Sequence, residues 1–400
     1  MDRENIMSQI EVKNVYKIFG KNPKRVISLL EKGMTKNEIH NKTGNSVGVN
    51  NASFQVNEGE FFVIMGLSGS GKSTLIRCLN RLIDATSGMV LIDGEDILKC
   101  SEDKLREIRR KKIAMVFQNF ALFPHRTICS NVEYGLEIQG IDLKVRKEKA
   151  YKALELVGLK GYEESMPDEL SGGMKQRVGL ARALATDAGI LLMDEAFSAL
   201  DPLIRKEMQE EMLQLQSRMH KTVIFITHDL DEALRLGDRI AIMKDGSIEQ
   251  IGTSENILTH PANKYVKRFV QDVDRTKIIT ASAIMEKSKA IILSKDGPKS
   301  AARLMKDEGI SSIYVTDKYR KLKGIVRIDD TIELVEQRVS NIESILITEV
   351  PTTSPDTSIS DLLSVAKDAI YPIAVVDEDY IMLGIIKRST IIAGIAREED

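Results

Sequence analysis

Cysteine is scarce in this chain: three in 400 residues, at Cys78, Cys100 and Cys129. No two of them stand at metal-ligand spacing, which argues against a zinc site or a disulfide framework and fits a reducing compartment. No apolar run approaches the length of a membrane-spanning helix, and the N-terminus lacks a secretory-signal pattern. Any membrane role is therefore expected to come through a partner. The formal net charge is −2, without the basic excess of a nucleic-acid groove. Long heptad arms are missing too. At this length two or more domains are expected.

What is present begins with Gly66-Leu67-Ser68-Gly69-Ser70-Gly71-Lys72-Ser73-Thr74, which fits the phosphate-loop pattern G-x-x-x-x-G-K-S/T. The apolar run Phe61 to Met65 before it reads as a buried strand. Leu75, Ile76, Leu79, Leu82 and Ile83 after it are spaced for one face of a helix. In that context the glycines let backbone N–H groups turn around phosphate oxygens, and the helix N-terminus adds its positive end. Lys72 is expected to reach the β- and γ-phosphates, and Ser73 to hold Mg²⁺.

Four more motifs follow in order. Leu170-Ser171-Gly172-Gly173-Met174-Lys175-Gln176-Arg177 opens a helix, and Ile190 to Met193 is an apolar strand ending in Asp194 and Glu195. Ser198-Ala199-Leu200-Asp201 comes next, and the strand Thr222 to Thr227 delivers His228. Gln118 ends a strand begun at Ile113. Together these resemble the ATP-binding cassette (ABC) family: signature sequence, second nucleotide motif, dimer-contact loop, switch histidine and the glutamine linking Mg²⁺ to the transport partner.

The resemblance implies a division of roles. Asp194 would ligate Mg²⁺ through its shell together with Ser73 and Gln118. Glu195 would act as general base on the attacking water, with Lys72, Gln118 and His228 as further catalytic groups. Nucleotide contacts are expected from Gly66, Ser68, Gly69, Ser70, Gly71, Lys72, Ser73 and Thr74. The signature Ser171, Gly172 and Gly173 would face the phosphate loop of a second copy, sandwiching two ATP molecules in a homodimer. Positioning and charge stabilisation carry phosphoryl transfer, so little covalent chemistry is asked of the protein. Either Phe19 or Tyr16, in Val15-Tyr16-Lys17-Ile18-Phe19-Gly20, resembles the adenine-stacking aromatic. The segment Asn119 to Ile128 is read either as a helical-subdomain segment or as the groove where a permease helix docks.

The cassette is expected over residues 8–270, followed by a charged linker at 271–279. Beyond it Gly309, Ile313, Val315, Asp317, Gly324, Ile325 and Val326 recur sixty residues later as Ala369, Ile373, Val375, Asp377, Gly384, Ile385 and Ile386. The period predicts two units, 280–338 and 339–396. They resemble a tandem pair of cystathionine β-synthase (CBS) domains, which implies a cleft for an adenine nucleotide or cyclic di-AMP, or else a purely structural role. The fold class is thus α/β, a phosphate-loop ATPase with a helical subdomain followed by an α/β CBS pair.

This combination resembles the ATPase subunits of glycine betaine and related osmolyte importers. It implies permease subunits, an extracytoplasmic solute-binding protein and a peripheral place on the cytoplasmic face of the plasma membrane. An importer of another small solute, such as an amino acid, is the alternative. A translation-associated relative would carry two cassettes, a DNA-repair relative long coiled coils, and a stand-alone nucleotide sensor only the CBS pair.

Residues 20–46 interrupt the first strand and its continuation at Val47. Asn22 suits an N-cap, Pro23 the first helical position and Gly33 a stop. Thr35-Lys36-Asn37-Glu38 is a capping box for a second short helix ended by Gly44. Lys21, Lys24, Arg25, Lys32, Lys36 and Lys42 outnumber Glu31 and Glu38, while Val26, Ile27, Leu29 and Leu30 form an apolar stripe. The insert is either a solvated lid packed by that stripe or a cationic helix pair facing an anionic membrane surface.

Overall fold

The computed structural model describes residues 8–118, 120–198, 200–271, 276 and 279–396. Asn119, Ala199 and most of the linker predicted over 271–279 lie outside them. The chain divides into two compact units, Met1–Val273 and Asp274–Asp400.

The first unit is built on strands that read as unbroken apolar runs. Phe61–Met65, Ile190–Asp194 and Thr222–Thr227 are buried along their whole length, as strands covered on both faces must be. They form a six-stranded sheet in the spatial order 247–252, 239–244, 61–65, 222–227, 190–194, 113–116. All neighbouring pairs are parallel except the 247–252 edge strand. A second sheet, antiparallel, is formed by Ser8–Phe19, Ser46–Asn57, Ser87–Ile92 and Glu95–Asp96. The core between the sheets includes Phe54 and Phe62, whose rings stack at 5.1 Å. Each such side chain taken from water contributes about 1.5–3 kcal/mol. Helices Ile128–Ile138, Leu143–Leu156 and Gly172–Ala185 pack on one another as a helical subdomain.

The phosphate-loop helix is shorter than the apolar spacing predicts. It runs Lys72–Leu79, and Leu82 and Ile83 lie past its end. Arg109 donates to the carbonyls of Asn80 and Arg81, and Arg81 takes φ 53°, so the chain leaves the helix there.

The insert folds as helices Pro23–Glu31 and Lys36–Thr43. Thr35 and Glu38 form the capping box, and Gly44 ends the second helix at φ 69°. Asn22 occupies the N-cap position but makes no side-chain cap bond, because its backbone is left-handed at φ 51°. Val26 and Ile39 are buried with Ile18 and Val47, with Ile27, Leu29 and Leu30 packed around them. The apolar stripe thus fixes the insert to the first sheet.

The second unit holds two copies of one pattern. In the first, Ile291–Ile292, Ser312–Thr316 and Leu322–Arg327 make a three-stranded sheet with helices Pro298–Glu308 and Ile328–Glu336. In the second, Thr352–Thr353, Ile373–Val376 and Met382–Ile386 do the same with Ile359–Asp368 and Arg388–Ala396. The cores are supplied crosswise. Ala281 is buried among Ile359, Leu362 and Ile373, whereas Ile342 is buried among Ile291, Met305 and Val326. Backbone pairs Glu286–Ile385 and Ile347–Ile325, reciprocal at 2.9 Å, repeat the exchange on each side.

Candidate active site

Four strands of the large sheet end at one edge and deliver there the glycine loop, Gln118, Glu195 and His228. Ligands collect at that edge in open α/β sheets. A cavity of about 440 Å³ opens among Ser68, Gly69, Gly71, Lys72, Ser73, Thr74, Gln118 and Glu195, with Phe19 and Gly48 also lining it. Gly71 has φ +105°, and a Cβ there would come within 2.2 Å of the Gly48 carbonyl. A Cβ on Gly48 would in turn meet both Phe19 and Thr74 at 2.9 Å. The loop, the strand and the aromatic therefore close on one another only with glycine at both positions.

Polar side chains converge on its wall, with Asp194 and His228 meeting the lining residues from outside it and Arg77 meeting Asp194. Ser73 Oγ donates to Asp194 Oδ1 at 2.8 Å, and Arg77 pairs with the other oxygen at 3.2 Å. Gln118 Nε2 donates to Glu195 Oε2 at 3.0 Å. Lys72 Nζ lies 3.9 Å and His228 Nδ1 3.7 Å from the same carboxylate. Lys72 also donates to the carbonyls of Gly66 and Leu67, at 2.8 and 3.2 Å. Burial pulls the Lys72 ammonium below its usual range, against the opposing charges of Glu195 and Asp194. Glu195 is held at φ 48° by its N–H to Ile226 and by Ser198 Oγ donating to its carbonyl.

Other expected residues stand apart. Gly66 and Ser70 do not line the cavity; Ser70 is buried with its Oγ unpartnered. Ser171, Gly172 and Gly173 line a separate cavity of about 370 Å³ with Arg177, Leu200 and Asp201. The Ser171 hydroxyl accepts from the Met174 N–H and caps that helix. Of the two aromatics, Tyr16 is buried, whereas Phe19 is 41 % exposed and lies on the nucleotide-sized cavity.

Ser73 and Asp194 bring hard oxygens together at 2.8 Å, and Gln118, on the wall of the same cavity as Ser73, carries a further amide oxygen. No cluster of three His, Cys, Asp or Glu occurs among the described residues. One carboxylate with neutral oxygens suits Mg²⁺, which keeps waters and substrate phosphate oxygens as its other ligands.

Three supporting contacts carry no sequence signal of their own. Arg182 donates to the carbonyls of Phe120 and Ala121 at 2.9 and 2.6 Å, across two successive residues with positive φ just beyond Gln118. Burial lowers its guanidinium from the usual range. Glu232, raised by burial, accepts from Thr227 Oγ1 at 2.6 Å and Gln209 Nε2 at 3.0 Å, which anchors the strand before His228. Arg77 neutralises Asp194. Phe123, in the loop after Gln118, packs edge-on against Tyr134, and Asn131 bonds both its N–H and its carbonyl.

The ABC transporter family profile matches residues 49–198, and the CBS domain profile matches 276–337 and 342–397. A glycine betaine transport ATP-binding protein of Bacillus subtilis is 57 % identical over 98 % of this chain and 93 % of its own. A glycine betaine/carnitine transport ATP-binding protein of Listeria monocytogenes is 53 % identical over 98 % and 99 %. Among solved structures, a dimeric ATP-binding cassette in a post-hydrolysis state with ADP and Pi is 32 % identical, covering 61 % of this chain and 98 % of that one, at a TM-score of 0.53.

Proposed function

The chain belongs to the ABC transporter family of ATPases, with a tandem CBS pair, and from that premise we propose that it energises import of glycine betaine or a related quaternary amine. The convergence of Lys72, Gln118 and His228 on Glu195 carries the catalytic part of this reading. The solute rests on the names of its full-length relatives.

In the proposed mechanism ATP lies along the glycine loop, with its adenine against Phe19. Lys72 meets the β- and γ-phosphates. Mg²⁺, held by Ser73, Gln118 and Asp194, would neutralise developing phosphate charge. Glu195 takes the proton of the attacking water, and the Gln118 amide orients its carboxylate. His228 donates toward the γ-phosphate oxygens. Each of these contacts is worth most where water is excluded. The signature residues line a different cavity of the same protomer, and we assign them to the site of a second copy. ATP binding closes the dimer and hydrolysis opens it.

Permease subunits are expected to dock at the segment Asn119 to Ile128, within which Phe123 packs against Tyr134. Arg182 holds the Phe120 and Ala121 carbonyls of that segment. With permeases bound, the chain lies on the cytoplasmic membrane face, and an extracytoplasmic binding protein delivers solute on the opposite side. No helix among the described residues is long and apolar enough to cross a bilayer. The exposed cations of the insert are proposed to face anionic lipid. The CBS pair is proposed to bind an adenine nucleotide, with a cyclic dinucleotide as first candidate, and to lower transport.

The test is solute uptake by the complex reconstituted in vesicles, with a panel of quaternary amines and amino acids. ATP-dependent uptake of betaine is expected; uptake of an amino acid alone would overturn the solute. Added cyclic di-AMP should slow uptake. Neutralising Lys21, Lys24, Arg25 and Lys32 should shift the salt threshold in anionic vesicles, since such attraction fades within a Debye length.

A further inference from the structure

Within the insert, one cation is placed unlike the rest. Lys36 opens the helix Lys36–Thr43, the end at which the macrodipole disfavours positive charge. Its side chain is half-buried and its ammonium is pulled below the usual range, chiefly by desolvation. No carboxylate among the described residues lies within 4 Å of it. Its hydrogen bond goes to the Gly69 carbonyl of the phosphate loop at a long 3.4 Å. Asp245 attracts it only at a distance. The same side chain lines the cavity shared with Phe19, Gly69 and Lys72. Lys42, by contrast, is exposed in the last turn of the same helix, where the dipole favours it.

A desolvated cation without a counter-ion, set on the wall of a phosphate-binding cavity, is matched by an anion that enters the cavity. We propose that Lys36 is a second lysine of the nucleotide site, contacting a phosphate oxygen of bound ATP. The insert is then one wall of the site. Because Ile39 of the same helix is buried with Val26 of the other, nucleotide occupancy holds both helices against the first sheet. The inference rests on the proposed ATP site and adds to it a residue outside the motifs recognised in the sequence.

The test is equilibrium binding of ATP and ADP to the full-length chain, with hydrolysis measured on the same preparations. Lys36→Ala should weaken both nucleotides about five- to twentyfold, a range set by one partly exposed charge-assisted hydrogen bond. The KM for ATP should rise in step, with kcat at saturation within about twofold, and Lys36→Arg should recover most of the loss. Lys42→Ala removes the same charge from the same helix and should change nothing; an equal loss there would make the effect one of bulk charge and overturn the contact. A Lys36→Ala chain that binds as wild type, while wild type binds and hydrolyses ATP, sinks this inference alone. Wild type that binds no ATP sinks the site reading and this one with it. Loss of kcat and melting temperature without a KM effect would make Lys36 a brace for the loop and overturn the contact as well.

Discussion

The two units bury very different things. In the first, Lys72, Asp194, Glu133, Glu60 and Glu232 are all buried. In the second, the buried polar residues among those described are Thr316, Thr331 and Thr353. A buried charge costs several kcal/mol unless it is paired, and the first unit pairs each of these: Lys72 with Glu195, Asp194 with Arg77, Glu133 with Arg146, Glu60 with Arg239 and Glu232 with Arg205. The second is apolar inside and is held by side-chain packing and by backbone bonds exchanged between its halves. One unit spends stability on chemistry; the other presents a surface on a hydrocarbon core. Any ligand of the second unit must accordingly be met by side chains at its surface and by backbone.

The sharpest way to break this contrast is at Glu195. Glu195→Gln should retain ATP binding while hydrolysis falls about 10²–10⁴-fold, the usual contribution of a general base. Phosphate release within a few-fold of wild type would remove Glu195 from that role. In the second unit the largest effect should come from an apolar side chain. Ile342→Ala is expected to cost about 2–5 kcal/mol in urea unfolding of that unit, with ATP turnover within about twofold. A comparable fall in turnover would show that the units are not energetically separate.

Arg182→Ala should be milder, costing about 0.5–1.5 kcal/mol as two partly exposed carbonyls lose a half-buried donor. Uptake per ATP consumed should fall more than hydrolysis itself, and reconstituted vesicles assayed for both would reveal equal losses if the clamp served stability alone. Smallest in functional terms is thiol chemistry. Burial pushes Cys78 up to about 12 and Cys129 to about 11, so both stay protonated at pH 8. Alkylation at that pH should label Cys100 first, with Cys129 and then Cys78 joining only as pH rises. Mass spectrometry showing Cys78 labelled first would contradict the burial.

The sequence was most legible where local pattern and tertiary role coincide. Gly71 and Lys72 follow a strand and open a helix, and Asp194 and Glu195 end an apolar run, so the chemistry is visible one segment at a time. The period of sixty residues likewise revealed both CBS repeats. What escaped depends on contacts between distant segments. Arg182 looks like any basic residue on a helix until its guanidinium meets Phe120 and Ala121, some sixty positions earlier. Glu232 reads as first-turn acid, yet its partners Thr227 and Gln209 lie on a strand and another helix. Gly48 has ordinary surroundings in the chain, and only the approach of Gly71, Phe19 and Thr74 makes its missing Cβ matter. Asn22 shows the reverse error: residue type favoured a cap, but the entry into its helix placed the backbone where its side chain cannot cap.

The crosswise cores of the second unit set a limit on cutting and grafting. A break between residues 338 and 339, natural by counting repeats, would strip Ile342 from the first core and Ala281 from the second. Neither half is then a transferable part, and a gene that lost or exchanged one copy would forfeit both. The smallest piece that evolution or an engineer can move intact runs from about Ile279 to the final helix, Arg388–Ala396, carrying both repeats as one inheritance.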